Sequence, residues 1–302
     1  MATAREIKRR IKSVKNVRQI TKALESVAAG RVRRAQHLVE ATRPYSTRAR
    51  DLLASIASLT GGETKHPLLT DRSEVKSITI MLVTGDRGLA GAFNSNVSRL
   101  AFNTMRESKV PVRFITIGKK GRDFMYRRGG QIVADFSGMP ARPTLLDTTP
   151  ATRTAIDDFL NGVVDEVYLF FTQFISSTQQ RPVMKRLLPL SSEDIKSDAA
   201  AHSGPKPAYE FEPGPVEILD TLLPRLTEMQ VYQAVLESQA SFYTAQRIAM
   251  RNATDNAGEL ITGLTLSYNK ARQSGITSEL LDIAGGAEAL RQVLKQAEAA
   301  KA

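Results

Sequence analysis

The residues of this chain best suited to chemistry are a glycine-rich turn and a few scattered carboxylates. GDRGLAGAFN (85–94) sets Gly85, Gly88 and Gly91 after a strand-like apolar run and before a helix-like stretch. Such turns can cradle a phosphate, because N–H groups at a helix start point at bound anions. The spacing is not G-x-G-x-x-G, and no Gly-Lys-Ser/Thr follows. The plainer reading is a tight strand–helix connection in which Asp86 or Asn94 bonds the local backbone. Asp86, Asp123, Asp135 and Asp147 could act as general acids or bases, but they show no recognisable catalytic spacing. His37, His66 and His202 lie far apart without ligand spacing, and Cys is absent. Disulfides, thiol nucleophiles, Cys-ligated zinc and iron–sulfur clusters are therefore excluded. This spacing points to no metal site, and it leaves open a catalytic site assembled in space.

The elements that would position these residues fall into three regions. Residues 3–58 read as one long helix: Ile7, Ile11, Val14, Val17, Ile20, Leu24, Val27, Val32, Ala35 and Leu38 recur at three- and four-residue steps. Thr3 and Glu6 fit a capping box. Pro44 either ends the helix near Thr42 or kinks it, and the return of the stripe at Leu52, Leu53 and Ile56 favours a kink. Residues 59–75 form a polar linker.

From 76 to 190 the period changes. SITIMLVT (77–84), VRFITIG (112–118), QIVADF (131–136) and VDEVYLFFTQF (164–174) are apolar runs of strand length, with RPVMKRLLPL (181–190) closing the region. Helical stretches at 91–108, 119–128 and 150–162 lie between them. Strand–helix alternation with buried-type strands predicts a Rossmann-like α/β domain, mostly parallel. Residues 191–215 read as a loop rich in Ser, Gly and Pro.

Residues 216–302 are helical again. A ladder runs Leu219, Leu222, Leu226, Met229, Gln233, Leu236, Ala240, Tyr243, Arg247, Met250, Thr254, Ala257, Ile261, Leu264, Tyr268, Ala271, Gly275, with roughly 13 of 17 rungs apolar. A seam this long predicts a coiled coil, about 120 Å for some 80 residues. Its partner within the chain is the helix at 3–58. The α/β domain lies between the two in sequence, so they would pair antiparallel into one shaft. Ala23, Ala28, Ala35, Ala240, Ala257 and Ala271 would keep it thin. The fold class expected is thus α plus α/β: a long antiparallel coiled coil of the terminal helices with a central α/β domain.

The C-terminal helix is the longer by about 25–30 residues, so part of it lacks an intramolecular partner. That part keeps an apolar stripe of Ile276, Leu280, Ile283, Leu290, Val293 and Leu294, the mark of an association site. Gly285 and Gly286 either break the helix or let a partner approach closely.

Charge narrows the partners. The net charge is +11 over 302 residues. Residues 1–35 carry roughly +9 and residues 209–302 roughly −4. The basic end has no Trp, Tyr or Phe, and so no base-stacking platform. A nucleic-acid-binding coiled coil is one alternative, and the acidic second helix counts against it. An α/β enzyme with helical arms is another. Neither accounts for the long seam and the apolar tip together. No apolar run reaches the roughly 18–20 residues of a membrane span. The N-terminus has neither the apolar core of a secretory signal nor the character of a transit segment.

Three segments, in order, resemble one family. AMRNATDNAGELITGLTLSYNKARQSGITSELLDIAGGAEAL (249–290) resembles the C-terminal signature of the F-type ATP synthase gamma subunit. IKRRIKSVKNVRQITKALESVAAGRVRRAQ (7–36) is similar to that family's opening helix, and VTGDRGLAGAFNSNV (83–97) to its central motif. RPYS (43–46) and FEPGP (211–215) fit as well.

The resemblance implies the central rotor shaft of a proton-translocating ATP synthase. The terminal helices would turn inside a hexameric ring of alpha and beta subunits, with the α/β domain at the foot against the epsilon subunit and the membrane c-ring. The resemblance implies a non-catalytic peripheral subunit at the cytoplasmic face of the bacterial inner membrane, with no catalytic residue, no metal and no cofactor. It would couple c-ring rotation to ATP synthesis or hydrolysis, with neither nucleic acid nor a direct small-molecule substrate. By resemblance, Arg9, Arg10, Lys12 and Arg18 on the first helix and Arg272, Gln273 and Thr277 on the second meet the beta catch loops. Ile276, Leu280, Ile283, Leu290, Val293 and Leu294 form the bearing tip, and Tyr209, Glu210 and Glu212 lie on the epsilon or c-ring side. Leu24 stands where Met is common in the family, a volume-conserving exchange. Without Cys, the thiol switch of plastid members is excluded.

Overall fold

The computed structural model describes residues 3–59, 66–190 and 215–299; the side chains of Arg43, 45–59, 215–217 and 292–299 are outside what it describes. The elements are α1 (Ala4–Leu59), a single 3-10 turn (Pro67–Leu69), β1 (Ile78–Val83), α2 (Phe93–Glu107), β2 (Val112–Ile117), α3 (Lys119–Tyr126), β3 (Gln131–Phe136), α4 (Leu145–Leu160), β4 (Glu166–Phe174), β5 (Gln180–Leu188) and α5 (Pro215–Ala299). The chain divides into two compact units, Ser26–Ala249 and Met1–Glu25 with Met250–Ala302.

The unit Ser26–Ala249 is built on a five-stranded sheet of order β3-β2-β1-β4-β5. The first four strands are parallel, and β5 pairs antiparallel with β4 at the edge. β1 lies at the centre and buries every residue after Ile78, as a parallel strand covered on both faces must. Its side chains alternate. Ile80 and Leu82 join Phe114, Phe170, Val97 and Ala101 on one face, beneath α2 and α3. Met81 and Val83 join Ile115, Ile117 and Leu169 on the other, beneath Ala151, Ala155 and Phe159 of α4.

The second face has another cover. Leu219, Leu223, Leu226, Val231, Ala234 and Val235 of α5 belong to the same core cluster. Between Leu226 and Thr244, α5 shows no exposed residue. It therefore serves here as a core helix as well as a coiled-coil strand. Val32, Ala35 and Val39 of α1 close on Leu236, Ala240 and Tyr243 of α5, together with Phe93 and Phe174. The Arg31 guanidinium lies 5.5 Å from the Tyr243 ring centroid. Eleven residues on, Thr42 donates to Gln233 Oε1 at 2.6 Å. Advancing along α1 thus steps backward along α5, which makes the pair antiparallel.

The unit Met1–Glu25 with Met250–Ala302 is helical in every described residue but Thr3. Ile7, Thr21, Met250, Thr254 and Ala257 are buried. Thr254 lies 2.8 Å from Thr21, and Gly258 faces Arg18, so this pair is antiparallel too. Thr3 and Glu6 close the capping box: Thr3 N–H donates to Glu6 Oε2 at 3.0 Å, and Glu6 N–H to Thr3 Oγ1 at 3.4 Å.

The α1 seam departs from the expected stripe. Val17, Ile20 and Val27 are about half exposed, whereas Thr21 and Ala28 are buried. The line facing α5 steps through Ile7, Ile11, Val14, Arg18, Thr21 and Glu25, and resumes at Ala28, Val32, Ala35 and Val39. It keeps alternating steps of four and three residues, which an apolar count alone breaks off at Arg18. The α5 ladder stands as read: each rung from Leu219 to Ala271 is buried or half-buried. α1 runs on through Pro44 to Leu59, and α5 passes through Gly285 and Gly286 without a break.

Other boundaries move less. α4 starts at Leu145 rather than 150, because Thr144 and Asp147 form a capping box there. β5 begins at Gln180 and ends at Leu188, and α3 ends at Tyr126.

Candidate functional site

The glycine-rich turn is locked by its own side chains. Asn94 Oδ1 accepts from Gly85 N–H at 2.8 Å, and Asn94 Nδ2 donates to the Arg87 carbonyl at 3.2 Å. Asp86 reaches across to the next loop. Its Oδ1 accepts from Lys119 N–H at 2.9 Å and its Oδ2 from Gly138 N–H at 3.0 Å. Lys119 opens α3, so a carboxylate of the chain itself occupies the helix start where a phosphate would sit. Thr84 completes the lock by accepting from Gly121 N–H at 2.8 Å. Gly118 beside it has φ +104°, and a Cβ there would lie 2.2 Å from the Thr84 carbonyl oxygen. The turn is the tight connection expected, with Asn94 bonding the local backbone, whereas Asp86 bonds the backbone of other loops instead.

The remaining candidate carboxylates are also tied into the structure. Arg122 pairs with Asp123 at 2.9 Å and with Asp135 at 3.2 Å. Burial alone would raise the Asp135 carboxyl, but hydrogen bonds from Ser137 and Thr116, with Arg122, hold it below the ordinary carboxylate range. Asp147 accepts from Thr144 N–H at 2.6 Å, and that backbone bond with the Thr144 hydroxyl lowers its pKa. Among the described residues no group of three or more His, Asp or Glu could hold a metal ion.

Beside the turn is a cavity of about 440 Å³, lined by residues of the sheet unit. Its polar lining includes Arg31, Asp86, Arg87, Lys119, Ser238 and Gln239, and its aromatic lining Phe93, Phe242 and Tyr243. No motif pointed to it. Arg31, Ser238 and Gln239 come from two distant helices, and only their packing brings them to the end of β1.

The shaft candidates lie in the helical unit. Arg9, Arg10, Lys12 and Arg18 are exposed on α1, and Arg272, Gln273 and Thr277 are exposed on α5. Among the described residues none of the five cations has an ion-pair partner. Thr277 donates to the Gln273 carbonyl at 3.0 Å, an ordinary helical back-bond. Every residue from Arg272 to Arg291 is exposed. That stretch includes Ile276 at 50%, Leu280 at 63%, Ile283 at 70% and Leu290 at 62%. Val293 and Leu294 lie on α5, but their side chains are outside the described residues, as are Tyr209, Glu210 and Glu212 altogether. No helix among the described residues is long and apolar enough to cross a membrane.

Comparison with known proteins gives this arrangement a family context. A family model described as ATP synthase matches residues 3–290. The ATP synthase gamma chain of Dehalococcoides mccartyi is 46% identical over 291 residues, 96% of this chain and 100% of that protein. The ATP synthase gamma chain of Herpetosiphon aurantiacus is 47% identical over 302 residues, 97% of this chain and 100% of that one. Among solved structures, a chain of the Euglena gracilis mitochondrial ATP synthase (OSCP/F1/c-ring, rotational state 3) superposes with a TM-score of 0.65. That match covers 95% of this chain and 94% of the other at 17% identity, so it bears on fold alone.

Proposed function

The chain belongs to the ATP synthase gamma chain family, and from that premise we propose that it is the rotating shaft coupling c-ring rotation to ATP synthesis or hydrolysis. The observation that carries this reading is the contrast within the helical unit. Up to Ala271 the α5 ladder is at least half-covered; beyond it every described residue is exposed and still carries apolar groups. A helix end of that kind calls for a sleeve supplied by other subunits. The alpha and beta subunits supply it, as a ring around the helix pair.

Arg9, Arg10, Lys12, Arg18, Arg272, Gln273 and Thr277 engage the catch loops of beta. They carry no competing ion pair among the described residues, and exposed pairs are worth only about 0–1 kcal/mol each. Contacts so weak can be made and released as the shaft turns. Torque is then a population shift in which each shaft angle favours one beta conformation over the others. The chain contributes no catalytic residue. Tyr209, Glu210 and Glu212 face the epsilon subunit or the c-ring, and the whole complex holds the chain peripherally at the cytoplasmic face of the membrane.

The test is reconstitution with alpha and beta subunits. ATP hydrolysis is assayed with the full chain, without it, and with residues 276–302 removed. The expected result is a correctly sized, active complex only when the chain is present, with the truncation lowering its yield or turnover. Alpha and beta subunits that neither bind the chain nor respond to it would overturn the proposal.

A further inference from the structure

We propose that the cavity at the carboxyl end of β1 binds a small phosphate monoester carrying a planar ring, of the nucleoside monophosphate class. Chain order reverses beside β1, since β2 lies on one side of it and β4 on the other. Open α/β sheets bind ligands in the crevice outside the strand ends at such a point. A volume of about 440 Å³ suits a ligand of that size.

The lining specifies the chemistry of the ligand. Arg31, Arg87 and Lys119 line the cavity, and no carboxylate among the described residues pairs with any of them. The one carboxylate in the lining, Asp86, is committed to two backbone N–H groups. The excess positive charge suits an anion, held by side chains because Asp86 fills the start of α3.

Gln239 also lines the cavity. Its Nε2 donates to the Pro140 carbonyl at 3.1 Å, while its buried Oε1 has no hydrogen-bond partner among the described residues. A buried orphan acceptor calls for an N–H or O–H donor. Phe93 and Phe242, edge to face with centroids 5.5 Å apart, form the apolar wall of the cavity, with 7% and 9% of their surfaces open. Inorganic phosphate alone would make no use of the aromatic lining, and a bare nucleoside would leave the positive lining without an anion. A bound ligand would touch α1, α5 and the β1 turn together, and so would stabilise their packing by mass action.

The experiment is equilibrium dialysis of the full chain alone against AMP, adenosine and inorganic phosphate, with the Arg87→Gln/Lys119→Gln double variant and Ala141→Trp. Arg87, Lys119 and Ala141 are exposed at the mouth, so these variants keep the core intact. One saturable AMP site per chain is expected, with adenosine and phosphate each weaker by about tenfold or more. The double variant should weaken AMP about threefold or more, and Trp at position 141 should block it. No saturation by about 5 mM AMP overturns the proposal. So does unchanged binding by both variants. Phosphate binding as tight as AMP overturns the ring half of it. None of these outcomes bears on the shaft reading, which rests on other residues.

Discussion

Thr21 and Thr254 meet hydroxyl to hydroxyl across the antiparallel pair, with Thr254 donating to Thr21 Oγ1 at 2.8 Å. Thr21 in turn donates to the Arg18 carbonyl at 3.0 Å, so the buried contact continues into the backbone. Both residues are more than nine-tenths buried. Thr254→Val keeps the shape and removes one partner, and should cost about 0.5–1.5 kcal/mol. Thr21→Val/Thr254→Val removes both hydroxyls and should cost less than the two single changes together. A double-mutant cycle by urea unfolding of the full chain reads the coupling. Strict additivity would mean that the two hydroxyls do not interact.

Glycines in this chain should respond in opposite directions. At Gly118 the positive φ and the Thr84 carbonyl leave no room for a Cβ. Gly118→Ala should cost more than about 3 kcal/mol and show as lost soluble yield or a large fall in Tm. Gly285 and Gly286 lie inside α5, and a Cβ at either meets nothing within 4 Å. Alanine there should favour the helix by nearly 1 kcal/mol each, seen as a gain in far-UV circular dichroism.

Acid should weaken the chain through His66. Its Nδ1 accepts from Leu68 N–H at 3.1 Å, and its Nε2 lies 3.2 Å from Asp220 Oδ1. Burial lowers the His66 pKa, and the charge and hydrogen bond of Asp220 only partly oppose that. A depressed folded pKa gives stability that is full above the unfolded value of about 6.5 and is lost as pH falls through the folded value. Unfolding free energy should therefore decline between pH 7 and pH 5, and His66→Asn should flatten the decline. Asp135 and Asp147, also depressed, act lower, below about pH 4. An unchanged slope in His66→Asn would assign the decline to other groups.

Charge reversal separates function from stability. Arg10 and Arg272 are exposed and unpaired among the described residues. Arg10→Glu and Arg272→Glu should leave unfolding free energy within about 0.5 kcal/mol. In the reconstituted complex they should lower ATP hydrolysis several-fold. Wild-type turnover in both would remove these residues from the beta contact.

Much of this was legible from residue patterns, for physical reasons that differ between elements. The α5 ladder could be read because its rungs are large and regular, and β1 because five consecutive residues are buried on two faces. Asn94 was readable as a local clamp because a short polar side chain beside glycines bonds nearby backbone, whereas the partners of Asp86, Lys119 and Gly138, come from distant loops. The α1 seam was not readable. Val17, Ile20 and Val27 make an apolar line as good as the true one, and the true one passes through Arg18, Thr21 and Glu25. Only the partner helix decides between them. Nor did any periodicity announce that Leu219, Leu223 and Leu226 cover the sheet, since an apolar stripe does not say what it packs against. The cavity at the end of β1 was invisible for a related reason: Arg31 and Gln239 are far apart along the chain, and neither lies in a motif.

The exposed apolar residues between Arg272 and Arg291 also constrain how the chain is made. A newly finished copy presents Ile276, Leu280, Ile283 and Leu290 to the surrounding solution. Such a surface invites self-association and proteolytic clipping until something covers it. A free copy should therefore be shorter-lived than an assembled one, which limited proteolysis of the two would show. On the shaft reading, production of this chain is matched in time and number to that of the subunits proposed to enclose it.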